Sequence, residues 1–323
     1  MALAASVTGC TQQQDPAEPT PPTLRIAGSR LPEAWIAGIR QGFGGTKRSV
    51  PTAYEAVAEG EALDGLLDGR YEVAAVDGPL SSAQLRQISD YCGGEPDVVP
   101  AYVSPVAVVF HVEGLDSLRL SPADLAAILS GAVKAWDDPV LKASNPDVDL
   151  PSTPLTLVSY DDAAPLATAA QVSVPPPTDA VTADDAVGMA VALASTDGAI
   201  GLLEWRVVGD LDVAEIVAGK TSVAPTDAST ANQLARASFT IDRAVPSVAW
   251  APANETAYPY LLVTYLVACP LDGTAGHSIG KARTLLRYAV SESGQLTGHE
   301  ASGSLPLTPR LRTESLRALL GLT

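Results

Sequence analysis

The sequence predicts an α/β protein large enough for two domains, and three observations carry that reading. Short apolar, β-branched runs alternate with helix-like stretches, the pattern of α/β layers around a mainly parallel sheet. At 323 residues the chain can bury two cores of ordinary size. Hydrophobic residues make up 46% and charged residues 18%, a balance that favours a packed core over disorder.

Leu24 to Ala27 is a short strand, and Gly28-Ser29-Arg30-Leu31-Pro32 turns it into a helix with Trp35, Ile36, Ile39 and Phe43 on one face. Residues 50 to 59 are extended, and Ala62 to Leu67 is a helix closed by Gly69. Val73 to Val76 is a buried strand, followed by the Asp77-Gly78-Pro79-Leu80-Ser81 loop and a helix over Ser82 to Ser89. Val98 to Val112 is long for one strand and holds Pro100 and Pro105, which cannot donate to a sheet ladder, so it reads as a strand that changes neighbours. Ser121-Pro122-Ala123-Asp124 is a helix start, with a capping hydroxyl, a proline at the first helical position and an acid at the positive end. Trp136-Asp137-Asp138-Pro139 is a second start, and Leu155 to Tyr160 is a strand.

Val172 to Thr182 reads as a loop, Ala183 to Ala194 as a helix, and Asp197 to Trp205 as a strand. Thr226 to Ala237 is helical, Tyr258 to Ala268 is a second long apolar strand, and helices follow over His277 to Val290 and Arg312 to Leu320.

These words, in this order, resemble the phosphate-binding lipoproteins of bacterial phosphate ABC importers. Ala101-Tyr102-Val103-Ser104-Pro105-Val106-Ala107-Val108-Val109-Phe110 is similar to that family's first interdomain strand. Gly131, Trp136-Asp137-Asp138-Pro139, Asn145-Pro146 and Leu150-Pro151 together resemble its Gly…Trp-Asn-Asp-Pro…Asn-Pro…Leu-Pro segment. Gly198-Ala199-Ile200-Gly201-Leu202-Leu203-Glu204-Trp205 is similar to its Gly-Ala-Ile-Gly-Tyr strand, and Ser304-Leu305-Pro306-Leu307 echoes its terminal segment. The resemblance covers nearly all of residues 24 to 323. It implies a type II periplasmic-binding-protein-like fold, two lobes joined by two crossing strands. The lobes would be residues 24–101 plus 247–323, and residues 102–246.

The N-terminus reads as an export signal. Ala2 to Val7 is small and apolar, and Val7-Thr8-Gly9-Cys10 resembles a bacterial lipobox, in which the cysteine carries lipid. Residues 1–10 are then a signal remnant ending at Cys10, and residues 11–23, rich in Gln and Pro, a disordered tether. Three cysteines fit this arrangement: with Cys10 lipidated, Cys92 and Cys269 remain, and an even remainder in an exported protein suggests a disulfide, two buried free thiols being the alternative.

The formal net charge of −17 leaves no basic stripe for nucleic acid and no polybasic membrane surface. No Gly-x-Ser-x-Gly elbow, His-Glu-x-x-His, Walker loop or Cys-x-x-Cys occurs, so no enzyme class is indicated. The three histidines lack ligand-like spacing, so neither a metal nor another cofactor is expected.

The family's phosphate loops are only partly present. Its Gly-Ser-Thr-Phe-Pro becomes Gly28-Ser29-Arg30-Leu31-Pro32, with Arg30 in place of a hydroxyl. Its Gly-Ser-Gly turn becomes Ala58-Glu59-Gly60, and an acceptor-only carboxylate at Glu59 repels an anion. Asp77 is retained in Asp77-Gly78-Pro79-Leu80-Ser81. Its Arg-Ser-Asp-Gly-Ser-Gly-Thr becomes Tyr160-Asp161-Asp162-Ala163-Ala164-Pro165-Leu166: the arginine is Tyr160, Asp162 stays, and the Ser-Gly-Thr that opens the helix, now Ala164-Pro165-Leu166, loses two hydroxyls and a backbone donor. The candidate cleft residues are therefore Ser29, Arg30, Glu59, Asp77, Tyr160 and Asp162.

The resemblance implies an extracytoplasmic solute-binding lipoprotein with a degenerate phosphate pocket. Its partners would be a small-molecule ligand, either a phosphate-like anion or a changed one, and an ABC permease. It would be a monomer, held by lipid at the outer face of the cytoplasmic membrane. The other reading is a non-transporting paralogue acting as a cell-surface interaction or regulatory protein.

Overall fold

The computed structural model describes residues 23–58, 60–161, 163–173, 177–242, 245–252, 254–269 and 279–321. The chain opens with β1 (Leu24–Gly28), α1 (Glu33–Gly44), β2 (Thr52–Ala56), α2 (Glu61–Leu67), β3 (Val73–Asp77) and α3 (Ser82–Cys92). The 15-residue strand β4 (Asp97–His111) follows, then β5 (Arg119–Leu120), α4 (Pro122–Leu129), α5 (Pro139–Ser144), β6 (Thr156–Tyr160) and α6 (Ala164–Ala169). Next come β7 (Val181–Ala183), α7 (Ala186–Ser195), β8 (Ala199–Glu204), a 3₁₀ turn (Trp205–Val207), β9 (Asp212–Val213), β10 (Glu215–Ala218), β11 (Thr221–Val223) and α8 (Asp227–Ala235). The hairpin of β12 (Ser238–Asp242) and β13 (Val245–Ala249) leads to β14 (Leu261–Ala268), α9 (Ile279–Ala289), α10 (Glu292–Ser302) and α11 (Pro309–Leu319).

The main sheet runs β2-β1-β3-β14-β4-β8-β6-β7, with β9 also on β4. The expected change of neighbours within β4 is present. Asp97 to Pro105 pairs with β14, and Val106 to His111 pairs with β8. β4 therefore belongs to two α/β halves at once, and its apolar length follows from burial in both. The sequence reading of a mainly parallel sheet needs correction. Pairings are parallel at β2-β1-β3 and at β8-β6-β7, but the centre is antiparallel, because β14 runs against both β3 and β4 and β8 against β4. The two halves keep local parallel order; the strands joining them reverse direction.

Cys92 and Cys269 form a disulfide, with Cα atoms 5.2 Å apart across 177 residues of sequence. It ties the end of α3 to the residue after β14, beside the antiparallel start of β4. The free-thiol alternative is thereby set aside.

Several boundaries shift. The third helix reaches Cys92 rather than Ser89, where Gly93 in the left-handed region closes it (φ 71°). The loop expected to Thr182 ends in strand β7, and α7 starts at Ala186 because the Asp185 side chain accepts the Gly188 N–H as a cap. β14 begins at Leu261 rather than Tyr258. α10 has no counterpart in the sequence reading. Its glycines weaken a helical pattern, yet a Cβ at Gly298 would lie 2.1 Å from the Trp35 ring nitrogen. Close packing of α10 on α1 needs the glycine that obscures it.

Candidate functional site

A cleft of about 420 Å³ opens where the strand ends of the two halves meet. One wall carries Ser29 after β1, Gly60 before α2 and Asp77 at the end of β3; the other carries Pro165 and Thr168 of α6. Ser29 is buried, and its hydroxyl donates to Asp77 Oδ2 at 2.5 Å while accepting the Leu31 N–H at 3.2 Å. Thr264 of β14, 1% exposed, donates its hydroxyl to Asp77 Oδ1. Tyr54 donates to the Ser29 carbonyl. Asp77 therefore ties β1, β3 and β14 together at the cleft floor.

Helix starts distinguish this region. Among the described residues, seven helices carry a side-chain cap: α3, α4, α5, α7, α8, α10 and α11. Among the described residues, α1, α2 and α6, preceded by Pro32, Gly60 and Ala163, have none. Uncapped N–H groups together with the helix dipole favour an anion. The starts of α2 and α6 line the cleft, and Glu33 of α1 lines the cavity beside it.

The α6 start is nevertheless poor in donors. Pro165 has no N–H. The Ala163 and Leu166 N–H groups are donated to the Tyr160 and Ala163 carbonyls, each at 3.0 Å. Ala164 is left as the uncommitted first-turn N–H among the described residues.

Beside the cleft lies a second cavity of about 170 Å³, lined by Arg30, Glu33, Tyr160, Asp185, Glu204 and Arg206 among others. The expected cleft residues are thus divided. Ser29 and Asp77 face the larger space, whereas Arg30 and Tyr160 line the smaller one. Glu59 and Asp162 lie outside the described residues.

Glu204 is fully buried. The Tyr102 hydroxyl donates to its Oε1, and Arg206 Nη2 donates to Oε2 at 3.2 Å. Burial pushes the Glu204 carboxyl above its ordinary value, and the Arg206 charge with the Tyr102, Ser104 and Arg206 hydrogen bonds offsets this only in part. Burial also drives the Tyr102 phenol well up, helped by the Glu204 charge. For Arg206, burial acts to lower the pKa, but the charges of Glu204 and Tyr102 outweigh it and the net direction is upward.

Thr264, Glu204 and Arg206 were missed in the sequence reading. A single threonine inside Leu261-Leu262-Val263-Thr264-Tyr265-Leu266, and a glutamate closing the buried run Ala199 to Leu203, are the signals that mark the first two. No group of histidine, cysteine, aspartate and glutamate fit to hold a metal occurs among the described residues, and no described helix is long and apolar enough to cross a membrane.

Two α/β halves joined by β4 and β14, with a cleft at their strand ends, define the two-lobed periplasmic-binding-protein class. The profile of the PBP superfamily domain matches residues 13–293, and the chain belongs to that superfamily. It is 26% identical over 284 residues to the phosphate-binding protein PstS2 of Mycobacterium bovis, covering 79% of this chain and 75% of that one. It is 25% identical over 167 residues to the phosphate-binding protein PstS of Methanocaldococcus jannaschii, covering 49% and 43%. Its fold is similar to that of the high-affinity periplasmic phosphate-binding protein PfluDING bound with phosphate (TM-score 0.64, 18% identity, 92% and 93% covered). It is also similar to an ABC-type phosphate transport receptor from Vibrio cholerae (TM-score 0.63, 11% identity, 88% and 100% covered).

Proposed function

We propose that the chain is an extracytoplasmic solute-binding lipoprotein of the phosphate ABC importer family, and that its phosphate pocket is degenerate. The α6 start carries this reading. Tyr160 stands where the resemblance expects an arginine, Pro165 removes a donor, and two further first-turn N–H groups are already donated to carbonyls. Each hydrogen bond lost to a charged ligand costs about 1.5–3 kcal/mol. Four partly additive losses cost about 6 kcal/mol, or roughly four decades of affinity. Residues 24–101 plus 247–323 are proposed as one lobe and 102–246 as the other, with lipid on Cys10 and delivery to an ABC permease. That the similar proteins bear phosphate-binding names supports the transport class.

Isothermal titration of the purified chain with inorganic phosphate at neutral pH tests the pocket. Millimolar or weaker binding is expected, and micromolar or tighter binding overturns the degenerate-pocket reading. In the native host, Cys10→Ala is expected to move the protein from the membrane fraction to the supernatant.

A further inference from the structure

We infer that the ligand is a small zwitterion, one carboxylate and one ammonium on a short frame, held in the cavity of Arg30 and Arg206. This rests on the degenerate-pocket reading above and names the ligand class that replaces phosphate. The cavity, about 170 Å³, is well below the roughly 300 Å³ at which pockets for drug-sized molecules begin. It suits a molecule of a few heavy atoms.

The cations come first. Arg30 is exposed and forms no ion pair among the described residues. The Arg206 side chain is 35% exposed and gives one N–H to Glu204 at 3.2 Å. A guanidinium carries five N–H donors in a planar fork, so Arg206 retains donors for a carboxylate. Tyr160, standing at the family's arginine position, lines the same cavity. The guanidinium charge is therefore displaced from the Tyr160 position to Arg206, just beyond β8, and to Arg30, just beyond β1.

The acids decide the class. Two guanidiniums face three carboxylates, Glu33, Asp185 and Glu204, a formal sum of −1. A phosphate dianion would take that sum to −3 and a simple monoanion to −2, whereas a zwitterion leaves it unchanged. A lone cation would meet the two guanidiniums. Glu204 is spent on Tyr102 and Arg206. Asp185 accepts the Gly188 N–H through Oδ1 at 2.7 Å, and among the described contacts Oδ2 is left to receive an ammonium. Leu31, Ala186, Val187 and Val207 complete the lining and admit a small apolar side chain.

The test is calorimetric titration of the full chain, disulfide intact, with glycine, L-alanine and L-serine, and separately with acetate, ethylammonium and inorganic phosphate. At least one of the three zwitterions is expected to bind at micromolar concentration, and acetate and ethylammonium each at least a hundredfold more weakly. Arg30→Gln changes an exposed side chain and is expected to weaken zwitterion binding at least tenfold with an unchanged melting temperature. Arg206→Gln strands the buried Glu204, so the paired change Glu204→Gln with Arg206→Gln is used instead, with the same loss expected. Silence from all three zwitterions alongside silence from phosphate overturns this inference and leaves the degenerate pocket standing. Undiminished zwitterion binding in Arg30→Gln also overturns it. Micromolar phosphate binding overturns the degenerate-pocket reading and this inference with it.

Discussion

The two walls of the cleft differ in what their polar residues do for the fold. On the wall of β1, β3 and β14, Asp77 accepts hydroxyls from Ser29 and Thr264 and so ties three strands together. On the wall of α6, the Ala163 and Leu166 N–H groups are donated to the Tyr160 and Ala163 carbonyls beside them. The first wall keeps Ser29 and Asp77 of the phosphate-binding resemblance, with Arg30 and Glu59 changed, and the second has lost the arginine and the Ser-Gly-Thr donors. A residue with a structural duty stays whether or not the ligand changes; a donor that serves only the ligand is free to go. The presence of Asp77 is therefore weak support for phosphate, and the sequence of the α6 start is the better witness.

The largest expected effect probes the first wall. Replacing both Cys92 and Cys269 by serine opens a 177-residue link beside β4 and β14. Chain entropy puts the loss near 5 kcal/mol as an upper figure. Urea unfolding of the variant against the oxidised parent measures it. A loss below about 1 kcal/mol would mean that the strands hold this wall without the bridge.

A rebuilt second wall comes next. The combined change Tyr160→Arg, Ala164→Ser, Pro165→Gly and Leu166→Thr returns an arginine, two hydroxyls and one backbone donor. Restoring two productive hydrogen bonds to a charged ligand is worth about 3–4 kcal/mol, a hundredfold to a thousandfold in affinity. Calorimetry with phosphate reads the gain. Leu166 is fully buried, so the variant's folding must be checked by circular dichroism alongside. A folded variant with no gain would show that the missing donors are not what limits phosphate.

A smaller effect separates structure from ligand at Asp77. Asp77→Asn removes a charged acceptor from two hydroxyls, one on Ser29 and one on Thr264. A destabilisation of about 2 kcal/mol is expected in urea with no ligand present. An unchanged midpoint would mean that Asp77 does not serve the fold, and the contrast between the walls would collapse.

What the amino-acid sequence alone makes legible follows the same division. The crossing strand was legible because Val98 to Val112 is too long and too apolar for one neighbour, and Pro100 and Pro105 barred an ordinary central strand. The disulfide was legible by count. The antiparallel centre was not, since strand direction depends on how the halves join, which no local pattern records. α10 was hidden by glycines that are there for packing. In the site, the loop motifs single out Ser29, Arg30, Asp77 and Tyr160 but do not record that Ser29 and Asp77 line the larger cleft and Arg30 and Tyr160 the smaller cavity. Arg206 was invisible because a lone arginine after an apolar strand looks like any surface charge until Glu204 is seen buried beneath it.

The smallest effect concerns the junction of the walls, where Tyr102 of β4 meets Glu204 and Arg206. Burial raises the Glu204 carboxyl above its ordinary 4.5, and its partners recover only part of the shift. The unfolded chain ionises this group near 4.5, the folded chain at a higher pH. The native state thus holds the extra proton in the window above 4.5, so this group's stabilising share is complete below 4.5 and is lost as pH rises through the folded value. Glu204→Gln stays neutral throughout. The stability of the parent minus that of Glu204→Gln should therefore fall between pH 4 and pH 7, by no more than about 1.4 kcal/mol per pH unit. Parallel urea titrations at several pH values measure the difference. If it rises with pH instead, the Arg206 pairing outweighs burial, Glu204 ionises more readily in the fold than outside it, and the cavity's charge balance must be drawn again with a stronger internal ion pair.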